Sequence, residues 1–129
     1  GMSYPLYALG DGMRRWFYLI GSMLVYKNAV HCIEEMDATF HHQAQEDLSY
    51  YLCHYSKAFG NQLFITTHNQ EYLQSFLASI KNHESDSNLS LRDDIRVITL
   101  RKMGHEVRTR TLDGLDAAKA LRAGLELRV

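Results

Sequence analysis

The stretch VHCIEEMDATFHH, residues Val30 to His42, decides how the chain is read. An apolar run from Ala29 to Ile33 ends in Glu34-Glu35, Asp37 follows after Met36, and His41-His42 close the segment. Ala29–Ile33 shows no alternation, as expected of a strand covered on both faces. Three carboxylates and two imidazoles just past such a strand fit a metal site, a nuclease-like acid cluster, or the water-activating end of a nucleotide hydrolase. The flanking chain has to choose among them.

Downstream, helical spacing runs for four turns through Ala44, Leu48, Tyr51, Leu52, Tyr55, Ala58 and Phe59, and stops at Gly60-Asn61, a glycine helix stop. Gln62–Thr67 then reads as a second buried strand. Strand, long helix and strand make a βαβ unit whose strands are parallel neighbours. Upstream, residues 11–27 carry Met13, Trp16, Phe17, Ile20 and Leu24 at helical spacing, with Asp11 at the favoured end. A third helix places Tyr72, Leu73, Phe76, Leu77 and Ile80 on one face. The polar stretch Lys81–Asp94 reads as a loop or lid. Ile95–Arg101 and Glu106–Leu112 flank Met103-Gly104-His105 as a hairpin, and a last helix from Asp116 to Ala123 carries Leu115, Ala118 and Leu121. The expectation is an α/β fold in one domain spanning residues 1–129. Functional groups belong at the carboxyl ends of its parallel strands. Those ends are Glu34-Glu35 and Thr67-His68, which puts Glu35 and His68 on one crevice. A carboxylate beside an imidazole can hold and deprotonate water while a neighbouring carboxylate holds a divalent cation.

At 129 residues, 46% hydrophobic and 22% charged, the composition is that of an ordinary globular domain. A net charge of -1 gives no electrostatic reason to expect nucleic acid or an anionic membrane. No run approaches the ~18 apolar residues of a membrane span, and Gly21-Ser22 interrupts Trp16–Val25. The expected location is therefore cytoplasmic. Gly1 ahead of Met2 reads as a tag remnant. Cys32 and Cys53 read as reduced core thiols. His31, Cys32, His41, His42, Cys53 and His54 do not fall into the paired spacing of a zinc site. The tyrosines, Trp16 and the methionines read as core. Arg92, Arg96, Arg101, Lys102, Arg108 and Arg110 alternate with Asp93, Asp94 and Glu106 and lack stacking aromatics, so they read as a solvated hairpin.

Four motifs, in order, resemble the C-terminal half of an ABC-type ATPase domain of the SMC/RecF/OLD-like group of AAA-family ATPases. LGDGMRR (Leu9–Arg15) resembles the signature motif and VHCIEE (Val30–Glu35) the Walker B strand. MDATFHH (Met36–His42) resembles the D-loop region and FITTHN (Phe64–Asn69) the switch-histidine strand. The ending DGLDAAKALRAGLELR also looks like the C-terminus of such proteins. The resemblance covers essentially the whole chain and implies a partial P-loop NTPase fold, with ATP and Mg²⁺ as ligands. It implies that Glu34 holds Mg²⁺, Glu35 polarises the attacking water and His68 contacts the γ-phosphate. Asp37 would belong to the D-loop, and Gly10, Asp11 and Gly12 would cap a helix facing the γ-phosphate of an opposite subunit. Glu34 stands where Asp is more usual. Gly10 replaces the signature serine, which removes one side-chain hydrogen bond to phosphate.

No G-x-x-x-x-G-K-[ST] occurs among the 129 residues. Phosphoryl transfer depends on that loop, its lysine and Mg²⁺ for positioning and charge neutralisation. These residues alone are therefore expected neither to hold ATP tightly nor to hydrolyse it. The expectation is a truncated or split ABC-type ATPase acting with a P-loop-bearing partner chain. Without the P-loop strand the Gln62–Thr67 edge is open. Either Ile95–Arg101 or a second copy of the chain is expected to cover it, making a homo-oligomer. Nucleic-acid binding is a family-level possibility that the charge does not support. The alternative from another class is a non-catalytic oligomerising module on an ATPase scaffold. A third reading, a hydrolase using Glu34, Glu35 and Asp37 to hold a metal, requires Mg²⁺- or Mn²⁺-dependent cleavage without nucleotide.

Overall fold

The segment expected to form strand, helix and strand does so. The computed structural model describes residues 10–39, 42–84 and 91–124, and the chain divides into two compact units, Gly1–Thr67 and His68–Val129. In the first, α1 (Asp11–Val25) leads into β1 (Val30–Ile33), a 3-10 turn at Met36–Thr39, α2 (His42–Ala58) and β2 (Gln62–Ile65). β1 and β2 are parallel, with Val30 opposite Gln62 and Ile33 opposite Ile65. A parallel pair needs a crossover, and the four-turn periodicity of α2 supplies it.

Where α2 ends is set by backbone hydrogen bonding. Asn61 N–H donates to the Ser56 carbonyl at 2.8 Å and Gly60 N–H to the Lys57 carbonyl at 3.2 Å, the bonding pattern of a Schellman stop. Gly60 takes the positive φ of 68° that this stop requires. A Cβ at Gly60 would also lie 2.3 Å from Asn28 Oδ1. Next to it, the Asn61 carboxamide ties three elements together. Its Nδ2 donates to the Met23 carbonyl of α1 at 3.2 Å, and its Oδ1 accepts from the Ala29 N–H at 3.0 Å. Among the described residues of this unit the buried apolar side chains are Met23, Ile33, Met36, Tyr50 and Leu52.

Burial departs from the sequence reading in several places. The strands are not covered on both faces: Val30 and Phe64 remain 60% and 50% exposed, and Cys32 is exposed. A two-stranded sheet has one face for its helices and leaves the other open. The α1 stripe Met13, Phe17 and Leu24 is likewise exposed, and the helix buries Met23 instead. Tyr18, Tyr26, Tyr51, Tyr55, Met13 and Met103 are surface residues, whereas Met23, Met36, Tyr50 and Tyr72 are buried. Along α2, Tyr51, Tyr55 and Phe59 stack at i, i+4 spacing with centroids 6.2 and 5.9 Å apart. The ammonium of Lys27 lies 5.3 Å from the Phe59 ring centre.

The second unit contains α3 (Gln70–Glu84), a 3-10 turn at Arg92–Asp94, β3 (Arg96–Met103), β4 (Glu106–Asp113) and α4 (Gly114–Arg122). Tyr72, Phe76, Leu77 and Ile80 of α3 are buried, as their spacing requires. Helix α3 runs to Glu84, past the Lys81 at which the loop was expected to begin. β3 and β4 pair antiparallel, with Met103 opposite Glu106. Gly104 has φ 64°, and His105 is not among the positive-φ residues, the type II′ arrangement of a two-residue hairpin loop. The strand partner of β3 is therefore β4, and it forms no sheet with β2. The expectation that Ile95–Arg101 fills the β2 edge finds no such pairing among the described residues; β3 bonds to β4 through one of its two edges, and a second copy of the chain is the other expectation for the β2 edge. In α4 the Asp113 side chain caps the helix by accepting from the Asp116 N–H at 2.7 Å. The buried face of α4 is Gly114, Ala117 and Leu121, while Leu115 is 39% exposed. No helix among the described residues is long and apolar enough to cross a membrane.

Gly60→Ala combines a left-handed backbone cost of about 1–2 kcal/mol with the contact to Asn28. It is expected to lower the thermal midpoint by at least ~4 °C, read by circular dichroism. The cysteines separate chemically. Burial pushes the Cys53 thiol up from 9.0 to about 12, whereas Cys32 is exposed. Iodoacetamide at pH 8 is expected to alkylate Cys32 alone in the native protein and both thiols in denaturant. Above the unfolded thiol value near 9, the native state retains a proton that the unfolded chain loses. Stability is therefore expected to fall between pH 9 and 12 by up to ~1.4 kcal/mol per pH unit. A Cys53→Val variant should lack this part of the slope.

Candidate functional site

The parallel register determines what meets at the carboxyl ends of β1 and β2. Continuing past Ile33 and Ile65, the pairing is carried on by Thr66 N–H donating to the Ile33 carbonyl at 2.9 Å. Two further bonds then turn the chain after β1. Glu35 N–H donates to Thr66 Oγ1 at 3.2 Å, and Met36 N–H to the Thr66 carbonyl at 3.3 Å. Glu34 and Glu35 are both exposed, and no hydrogen bond or ion pair holds either carboxylate among the described residues. Glu35 has φ 47°, and Asn28 is the other described non-glycine residue with positive φ. A left-handed residue at this point swings the chain away from the strand line and into the 3-10 turn that carries Asp37. There the Thr67 hydroxyl donates to Asp37 Oδ1 at 2.5 Å.

The other bracket comes from α1. The Arg15 guanidinium donates to the carbonyl oxygens of both Glu34 and Glu35, the latter at 3.3 Å. The helix itself begins at Gly10, whose carbonyl accepts the first helical bond from Arg14 N–H at 3.1 Å. Gly10 offers no side-chain cap, and the first-turn N–H groups of α1, like those of any helix, have no intrahelical partner. Asp11 lies in that first turn and pairs with Arg14. The pairing offsets a negative charge that would otherwise compete with an anion at the helix end.

The first unit thus gathers Glu34, Glu35, Asp37, Thr66, Thr67 and Arg15 around one loop, with Gly10, Asp11 and Gly12 at the start of the helix that supplies Arg15. His68 is exposed and is the first residue of the second unit. Phe40 and His41 lie outside the described residues, and His42 opens α2. Sequence reasoning missed Arg15 and Thr66. Arg15 carried a signal only as one of two adjacent arginines in the signature-like segment. Thr66 lies within the strand-end motif, where any hydroxyl residue can bond a neighbouring loop. Among the described residues no three His, Cys, Asp or Glu side chains come together as a metal-binding group. A cation held beside Glu34 would therefore take most of its ligands from phosphate and water, as Mg²⁺ ordinarily does.

Residues 3–73 match the protein family described as "AAA domain, putative AbiEii toxin, Type IV TA system". The match spans more than half of the 129 residues, and the chain belongs to this AAA-domain family. It covers α1, β1, α2, β2 and the start of α3, which is the part of the chain carrying the loop described above. The small parallel sheet with its crossover helix is an α/β arrangement compatible with such an ATPase-like scaffold. No curated protein and no solved structure matches the chain significantly.

Replacing Thr67 with Val removes the donor to Asp37 and keeps the side-chain shape. The expected cost is about 1 kcal/mol, measured as a lowered urea midpoint with unchanged slope. Combining it with Asp37→Ala should add little, since both changes break the same bond.

Proposed function

We propose that this chain supplies the signature, Walker B and D-loop half of an ABC-type ATPase site of the SMC/RecF/OLD-like group. It would act on ATP only with a phosphate loop from outside these 129 residues. One observation carries the reading. Within the family-matched region, a strand followed by Glu34-Glu35 lies in parallel register with a strand followed by Thr66-Thr67. Parallel α/β sheets place their ligands at such ends.

Under this proposal Glu34, an exposed carboxylate at the strand end, holds Mg²⁺ through water. Bound there, the ion would neutralise charge on the β- and γ-phosphates. Glu35 orients and polarises the water that attacks the γ-phosphate. Its solvent-facing carboxylate has no competing partner among the described residues. His68, next in the chain after Thr67, contacts the γ-phosphate from the switch strand. Asp37 gives the D-loop its anchor through Thr67. Gly10, Asp11 and Gly12 present the first-turn N–H groups of the α1 terminus to the γ-phosphate bound by an opposite subunit. Assembly with a second copy or a P-loop-bearing chain is supported by the exposed apolar residues of the first unit. Phe17, Tyr18, Leu24 and Val25 of α1 and Val30 and Phe64 of the sheet are 49–73% exposed.

The same exposed residues favour a second reading, a non-catalytic oligomerising module on an ATPase-like scaffold. The two are separated by mixing the chain with a segment bearing a strand and G-x-x-x-x-G-K-[ST], encoded beside it, and measuring phosphate release. The ATPase reading expects no tight ATP binding by the 129 residues alone. It expects activity on mixing, and a fall of roughly 10²-fold or more in kcat for Glu35→Gln. An unchanged rate in that variant would sink it in favour of the module.

A further inference from the structure

We propose that Arg15 is a positioning residue that holds Glu35 in its left-handed conformation and thereby couples α1 to the direction of the Glu35 carboxylate. The proposal rests on the functional reading above for the importance of Glu35, and on geometry alone for the clamp. A glutamate has no intrinsic reason to adopt φ 47°, since the left-handed region crowds Cβ against the backbone and costs an L-residue about 1–2 kcal/mol. Such a residue persists where its surroundings over-determine it. Two of the restraints come from Thr66, the residue after β2, through its hydroxyl and carbonyl. The third is the only one that brings a charge. The Arg15 guanidinium reaches from α1 to two successive carbonyls, those of Glu34 and Glu35.

This arrangement has specific chemistry. A planar guanidinium presents parallel N–H donors that can satisfy two acceptors at once, while a lysine ammonium acts as a point charge. The bonds go to the peptide carbonyls on both sides of the Glu35 Cα, so they fix the peptide planes that define φ and ψ of that residue. If residue 35 returned to an ordinary negative φ, its Cα–Cβ bond would point elsewhere and its carboxylate would move with it. Arg15 also lies one turn after Asp11, so it is rigidly linked to the open N-terminus of α1. A displacement of that terminus is transmitted through the guanidinium to the backbone of Glu34 and Glu35. A helix end that senses phosphate and a carboxylate that orients water are thus connected through a single side chain.

The test uses amide hydrogen exchange on the purified chain, read residue by residue by NMR, with no nucleotide present. Met36 N–H is the reporter, because it closes the loop onto Thr66 next to a buried side chain. Arg15→Ala is expected to speed its exchange about tenfold, the loss corresponding to charge-assisted bonds. The Asn61 amide at the end of α2 should change less than about twofold, as expected for local rather than global opening. Arg15→Lys should restore less than half of the protection. Glycine takes positive φ without penalty, so in a Glu35→Gly background the effect of Arg15→Ala should shrink below about threefold. An equal acceleration in both backgrounds overturns the clamp, as does one that extends equally to Asn61. In the reconstituted ATPase, Arg15→Ala should lower kcat and leave KM for ATP unchanged, and a rise in KM alone overturns the positioning role. Failure of Glu35→Gln to lower activity would overturn the functional reading, and the exchange result would still decide the clamp.

Discussion

The first unit depends on a single carboxamide. Asn61 donates to the last turn of α1 through Met23, accepts from the peptide that opens β1, and bonds through its own N–H to Ser56 at the end of α2. The next peptide, at Gln62, donates to Ala29 at 2.9 Å and starts the parallel pairing. A sheet of two four-residue strands is too small to specify its register by burial, since half of its side chains remain exposed. Register is set from the end at which Asn61 fixes Ala29 against Gln62. About 13 Å further on, four strand residues at ~3.3 Å each, that choice brings Glu35 opposite the Thr66 hydroxyl. A slip of one residue would separate the pair and turn the loop toward the other face.

Much of this was legible because it follows from periodicity and chain punctuation. The spacing of α2 and α3, the Gly60-Asn61 stop and the Gly104 hairpin are local signals, and local hydrogen bonding enforces them. The candidate loop was legible because three carboxylates fell immediately after an apolar run. What could not be read was which apolar surface has a neighbour. Periodicity shows that α1 has an apolar stripe; it does not say what covers that stripe, and Phe17 is 60% exposed while Met23 is 1% exposed. The same holds for α4, where small residues let the helix approach closely and Ala117, rather than Leu115, is buried. Cys32 lies on an open sheet face for the same reason. Arg15 was illegible because its partners are main-chain carbonyls, which leave no trace in side-chain chemistry.

The second unit follows a different logic. Its hairpin is exposed along nearly all of β4, with Leu112 half-buried near its end. Register places Arg101 directly opposite Arg108 and Thr99 opposite Arg110, so three arginines share one face. None of the acidic residues that alternate with them in sequence stands directly opposite an arginine of that face: Glu106 lies on the same face but opposite Met103, and Asp93 and Asp94 belong to the 3-10 turn. Like charges opposed across strands disfavour pairing, so the hairpin owes its formation to the Gly104 turn and to Val97 and Leu112 at its base. Asp113 ends the strand and caps α4, which makes the stability of the hairpin and of the helix interdependent.

A left-handed glutamate needs an account in terms of the residues around it. If residue 35 served only to end a strand, glycine would do so without the conformational cost. A carboxylate at that point costs stability, and the surrounding bonds from Thr66 and Arg15 offset it. Those same bonds leave the carboxylate itself in solvent and without a partner among the described residues. The backbone is tightly specified while the side chain it carries is left open. Under the proposed function that combination suits a group whose direction matters and whose partner arrives from outside. The neighbouring Asp37 differs, since one of its oxygens already accepts a short hydrogen bond from Thr67. Of the three carboxylates past β1, Glu34 and Glu35 keep their oxygens available among the described residues, and Glu35 is the one that the loop carries on a left-handed backbone.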